Sequence, residues 1–193
     1  MVLEHYVWLR FAHLLVFAVW LAGAIGALCL WRAGRVGTAP EAREWLRGWQ
    51  RAAYLWQRYC LVLMLPVGYL LALQIGVATL PTLFIGLLVG IGALWIGLIA
   101  LSSREAPSAR GHRLRKIEQG WCAILAAGLL WDAYQGFTRT GHLYADWLAL
   151  KFALLAVLVG GTLVLRERPM AYAALSAPLL LAAAYLGIAK IEF

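Results

Sequence analysis

The sequence has little charge and few of the residue types that build water-filled sites. Of its 193 residues 13% are charged, with nine acids, four histidines, three methionines and three cysteines. Water-soluble domains carry about a quarter charged residues and about half apolar ones. A chain at 64% hydrophobic therefore falls outside that class. Three cysteines without a motif spacing exclude a disulfide scaffold or a zinc module. Apolar–polar alternation in segments of about ten residues is also missing, which disfavours a transmembrane β-barrel. The first apolar block is too long for a signal-peptide core and no A-x-A-like site follows it, so the first helix is expected to be retained.

What is present is a series of long apolar runs. A spanning helix needs about 20 predominantly apolar residues. Six blocks supply them, at about 7–31, 59–79, 82–102, 120–137, 147–165 and 170–189. The expected fold is all-α: one polytopic domain over residues 1–193, a bundle of about six transmembrane helices. The block at 120–137 is the least apolar. Nineteen glycines suit helices that pack closely in lipid. Pro66 and Pro178 lie inside the second and sixth blocks, where they kink rather than end a helix.

A net charge of +8 invites a nucleic-acid reading, but the placement of the charge argues against it. All but Arg10, Arg139, Lys151 and Lys190 of the seventeen Lys and Arg lie in the connections after the first, third and fifth blocks. The positive-inside rule then puts those loops in the cytoplasm and both termini outside, as in a multi-pass protein of the bacterial inner membrane. The first connection is long. Its stretch at about 40–58 starts at Pro40 and mixes arginines with Trp45, Trp49 and Trp56. It reads as an amphipathic helix on the inner surface or as an inner extension of the second helix.

Ionisable residues inside spanning helices are costly and mark candidate sites. On this topology Arg10, His13, Asp132, Lys151 and Lys190 collect in the outer part of the membrane, with His5, His142 and Asp146 in the outer loops. The inner half is expected to lack comparable groups apart from Cys29, Cys60 and Cys122. These are expected to be reduced and buried as small apolar residues, with a soft-metal role as the alternative. His13 is the leading candidate, because a buried imidazole can ligate a metal or haem iron or exchange protons. A packed, hydrogen-bonded histidine is the plain alternative. Lys151 is expected to pair with Asp132 or Asp146, to snorkel outward, or, with Arg10, to hold a carboxylate-bearing ligand. His112, in a basic loop, is expected to be solvated.

Two stretches resemble a known superfamily. One is His13-Leu-Leu-Val-Phe-Ala-Val-Trp20-Leu-Ala-Gly23. The other is Asp146-Trp147-Leu-Ala-Leu-Lys151-Phe-Ala-Leu-Leu. Both are similar to helices of the HemJ-type protoporphyrinogen oxidases and of the CopD-type copper-resistance membrane domain. The first resemblance implies haem b, with His13 and Lys151 matching the family's functional histidine and lysine, and oxidation of a porphyrinogen or a similar electron transfer to a quinone. Asp132 as a catalytic residue beside Lys151, and Arg10 and His142 as further cofactor-binding residues, are candidates from their depth in the sequence and not from the resemblance. The chain departs from that family in having six helices rather than four. It also has Val159-Gly160-Gly161-Thr162 where a histidine commonly follows the lysine helix. The second resemblance implies copper passage, for which Met64 and Met170 are expected to lie far from His13 in depth. A non-catalytic membrane assembly subunit is the third reading. The expected partners are the lipid bilayer and such small molecules, with a homo-oligomer open and no nucleic acid.

Overall fold

The structure, a computed structural model, describes residues 2–35, 40–79, 81–104, 108–140, 145–166 and 168–189, without the side chains of residues 2–5, 35, 40 and 82. These residues form six helices: α1 (Val2–Arg35), α2 (Pro40–Gln74), α3 (Thr82–Arg104), α4 (Ala109–Thr138), α5 (Asp146–Val164) and α6 (Pro169–Ala189). The protein is an all-α, multi-pass membrane bundle. Among the described residues α1, α2, α3, α5 and α6 are each long and apolar enough to cross a membrane. Their exposed side chains are large hydrophobics such as Phe11, Leu15, Leu83, Leu87, Leu181 and Ile188, which lipid solvates without cost.

Several helices run past their apolar blocks. The basic-aromatic stretch 40–58 is not a separate surface helix. It is continuous with the second span, because no proline interrupts the chain between Glu41 and Tyr59, and Pro40 sits at the first helical position, where its missing N–H is not needed. At about 1.5 Å per residue, α2 is about 52 Å long against about 30 Å of hydrocarbon. It stops at Gln74, short of the expected end near 79. Gly76 adopts φ +73°, and the Gly76 and Val77 N–H groups close onto the Leu73 and Ala72 carbonyls at 3.2 and 3.1 Å. That is a glycine C-cap. Helix α4 starts well before 120. Ser108 caps it by accepting the Gly111 N–H at 2.9 Å, so the run from Arg110 to Lys116 is helical rather than a loop.

Side-chain contacts fix the helix directions. On α1 and α2, His13 lies by Gly68 while Gly23 lies by Gln57, so the two are antiparallel. On α2 and α4, Arg58 pairs with Glu118 and Tyr69 with Asp132, so these are parallel. Lys151 meets Gly187 and Gly161 meets Leu175, making α5 and α6 antiparallel. The chain thus runs up and down, each helix packs on its neighbours in sequence, and α6 returns to α1. Helix α4 is less apolar than the others. It packs on α5 and α3 and reaches α2 through two side-chain links, at Glu118 and Asp132, about 21 Å of rise apart. Half of the apolar window of α2 is buried, against 17% for α1 and α3. α2 is the central helix.

One end of the bundle is held by an ion cluster. Glu118 of α4, 1% exposed, pairs with Arg58 of α2 and, at 3.1 Å, with Arg166 after α5. Ser102 of α3 donates to the same carboxylate at 3.1 Å. This overturns the expectation that the basic half lacks ionisable groups. Two of the arginines that read as loop charges turn inward, because an acid about two and a half turns inside α4 offers them a partner. Nearby, Ser176 of α6 donates to Gln57 at 3.0 Å, and Gln57 to the Gly23 carbonyl at 3.4 Å. Removing one member of a buried ion cluster strands the others, at about 3–5 kcal/mol. Glu118→Ala is therefore expected to lower stability in detergent by that order. Glu118→Gln, which keeps the shape and an acceptor, should lie between it and the parent. Unfolding of Glu118→Ala at the parent midpoint would contradict the cluster.

Candidate functional site

At the opposite end, four helices bring the chemistry-bearing residues to one level. His13 of α1 lies across Gly68 of α2: a methyl group on Gly68 would sit 3.6 Å from His13 Cε1 and 3.9 Å from Nδ1. The Nδ1 atom is buried and has no hydrogen-bond partner. A buried polar atom without a partner is uncommon in a native fold and calls for an explanation. The packed, hydrogen-bonded histidine that the sequence left open is therefore not what this nitrogen shows.

Tyr69, next to Gly68, crosses the bundle. Its hydroxyl donates to Asp132 Oδ2 on α4. Its ring stands edge-on to Phe152 of α5 at 4.8 Å and to Phe84 of α3 at 6.4 Å between centroids. Asp132 is thus engaged by a phenol rather than by a cation. Asp146, at the start of α5, faces Arg139 at 3.5 Å.

The expected pairing of Lys151 with either aspartate is therefore absent. Both carboxylates have other partners, and Lys151 forms no ion pair among the described residues. Its ammonium lies 5.0 Å from the centre of the Trp147 ring, one turn earlier on α5, a cation–π contact. It also packs against Gly187 of α6, where a Cβ would come 2.5 Å from Nζ. The absence of a side chain at Gly187 is what admits the lysine. Phe152, the next residue after Lys151, meets the ring of Tyr69, the next residue after Gly68. Lys151 and His13 thus share a layer with the Tyr69–Asp132 pair, as their depths suggested.

Other candidates fall elsewhere. Arg10 is exposed on the surface of α1, so it is not drawn into this layer. His142 and Lys190 lie outside the described residues, as does the side chain of His5. His112 is exposed. Cys29 is exposed while Cys60 and Cys122 are buried, and among the described residues no three His, Cys, Asp or Glu groups gather as a metal site. Met64 corrects one expectation. It is buried on α2 four residues before Gly68, about 6 Å of rise from the level of His13, rather than far from it.

Gly68, Tyr69 and Gly187 escaped the sequence reading because they carry no charge. A tyrosine and a glycine side by side in an otherwise aliphatic span were the available signal. Chemically, the layer offers one imidazole nitrogen without a hydrogen-bond partner, one ammonium with no carboxylate partner among the described residues, and a hydrogen-bonded phenol–carboxylate pair. Comparison with protein-family models, with curated proteins and with solved structures finds no match.

Asp132 is half-buried, and leaving a fully buried acceptor without its donor costs about 1–3 kcal/mol, so that range is an upper bound here. Tyr69→Phe is expected to lose up to that much stability in detergent, and Asp132→Asn, which keeps an acceptor, less. A Tyr69→Phe protein as stable as the parent would show that the contact is not formed.

Proposed function

We propose that the protein is a haem-b-binding membrane oxidoreductase or electron-transfer protein, with His13 as the protein ligand to the iron. The observation that carries this reading is the buried, unpartnered His13 Nδ1 beside an ammonium that has no carboxylate partner among the described residues. An imidazole held for iron leaves a nitrogen open when the iron is absent, and a propionate supplies the anion that Lys151 lacks. The resemblance of the two stretches around His13 and Lys151 to the HemJ-type oxidases points the same way. Haem, when bound, supplies one-electron chemistry. The part played by this chain is to hold the ligand nitrogen and the cation in place. Gly68 leaves room for the His13 imidazole against α2 and Gly187 admits the Lys151 ammonium, while the Tyr69–Asp132 pair ties α2 to α4 at the same level.

Copper handling, as in the CopD-type domain, is the second reading. The position of Met64 favours it, since imidazole and thioether suit that metal. The absence of a three-ligand group among the described residues weighs against it.

We place the Arg58–Glu118–Arg166 end in the cytoplasm of a bacterial inner membrane and the His13 layer toward the outside, on the strength of the basic connections. Labelling with a membrane-impermeant thiol reagent tests this in a background with the native cysteines replaced. Thr140→Cys is expected to label in intact cells and Arg110→Cys only after lysis, and the reverse pattern would invert the topology.

The cofactor is tested on protein purified from its membrane, by oxidised and reduced absorption spectra with haem and copper quantified. Haem in a ratio near one to one is expected, reduced at least about tenfold in His13→Ala, the equivalent of about 1.4 kcal/mol or more of binding. Lys151→Met should bind haem more weakly without loss of fold. A colourless protein with stoichiometric copper would favour the second reading, and one with neither would leave a non-catalytic membrane subunit.

A further inference from the structure

The basic end of the bundle carries donors that Glu118 does not use. Tyr54 of α2 and Tyr172 of α6 are 8% and 0% exposed, and both phenol oxygens are buried without a hydrogen-bond partner. Their rings meet edge-on at 5.5 Å. The Arg58 guanidinium lies one turn further along α2, its carbon 5.6 Å from the centre of the Tyr54 ring.

The carboxylate of Glu118 is already taken up by Arg58, Arg166 and Ser102. It accepts from neither phenol. Among the described residues Glu118 is the only acid that Arg58 pairs with. A guanidinium has five N–H groups in a planar fork, so Arg58 can serve Glu118 and a second anion together. Two buried hydroxyls without partners, on rings in contact with each other and with a buried guanidinium, suit an acceptor that is negative and has several oxygens. A neutral apolar neighbour would leave both hydroxyls unsatisfied.

We infer that Tyr54, Arg58 and Tyr172 form a binding site for a phosphate group at the basic end of the bundle, separate from the His13 layer. The group is either free inorganic phosphate or the phosphodiester of a phospholipid headgroup, since the cluster lies where α5 turns into α6 and the bundle meets the aqueous boundary. The site does not depend on haem or copper at the other end.

The test uses the full chain in a detergent free of phospholipid. Thermal unfolding is followed while sodium phosphate replaces sodium chloride at constant ionic strength. A second titration adds phosphatidylglycerol, with a neutral diacylglycerol as control. The parent is expected to show a saturable rise in midpoint with at least one of the two. Tyr54→Phe and Tyr172→Phe each remove only an unpartnered hydroxyl, so both are expected to fold without ligand as the parent does. Each should bind about tenfold more weakly, as the loss of one hydrogen bond to a charged group predicts, and the double variant should not respond. A response to inorganic phosphate assigns the site to a soluble phosphate, and a response to phosphatidylglycerol alone assigns it to a lipid headgroup. No saturable response to either, or an undiminished response in the double variant, would overturn the proposal.

Discussion

The ion cluster centred on Glu118 is the interaction on which the rest of the bundle depends. Lipid offers no hydrogen-bond partners, so a charged side chain carried inward by a spanning helix is costly unless another group pairs with it. One acid of α4 does this for Arg58 of α2, Arg166 after α5 and Ser102 of α3. The pairing sets the register of α2 against α4, and that register carries Tyr69 to Asp132 eleven residues further along α2. With those two contacts fixed, His13, Lys151 and Gly187 are brought to the same level as Tyr69. The site at one end is therefore positioned by charge pairing at the other.

Between the two polar layers the bundle is apolar. Trp20, Leu61, Leu65, Trp95, Leu158 and Val159 are all buried there, and the distance from Arg58 to Tyr69 along α2 is about 16 Å. The described residues give no chain of ionisable groups across this middle. The layers thus present two separate chemistries. One has an imidazole with an open nitrogen and an ammonium without a carboxylate partner among the described residues. The other has phenols and guanidinium groups beside a carboxylate that is already engaged. We propose haem for the first and a phosphate group for the second.

The fold was legible because its determinant is one-dimensional. Runs of about twenty apolar residues specify spanning helices whatever their neighbours, and the six runs became six helices. Helix ends were less legible. Arg110 to Lys116 are polar, yet the Ser108 cap makes them helical, and hydropathy does not register a cap. The same limit hid the basic cluster: Arg58 and Arg166 have the composition of topology signals, and only the three-dimensional position of Glu118 shows that they turn inward. His13 and Lys151 were found because a charge in a span is conspicuous. Their surroundings were not, since Gly68 and Gly187 act through the absence of a side chain and Tyr69 through a hydroxyl that only folding brings to Asp132.

The central claim is that the open nitrogen of His13 is a ligand position. It is tested most directly by replacing the imidazole with a free one. In His13→Gly, the haem absorption of the parent is expected to be lost and to return when imidazole is added to the purified protein, because the removed side chain leaves space beside Gly68. A His13→Gly protein that keeps the parent spectrum without imidazole, or a parent that has no haem spectrum, would contradict the account.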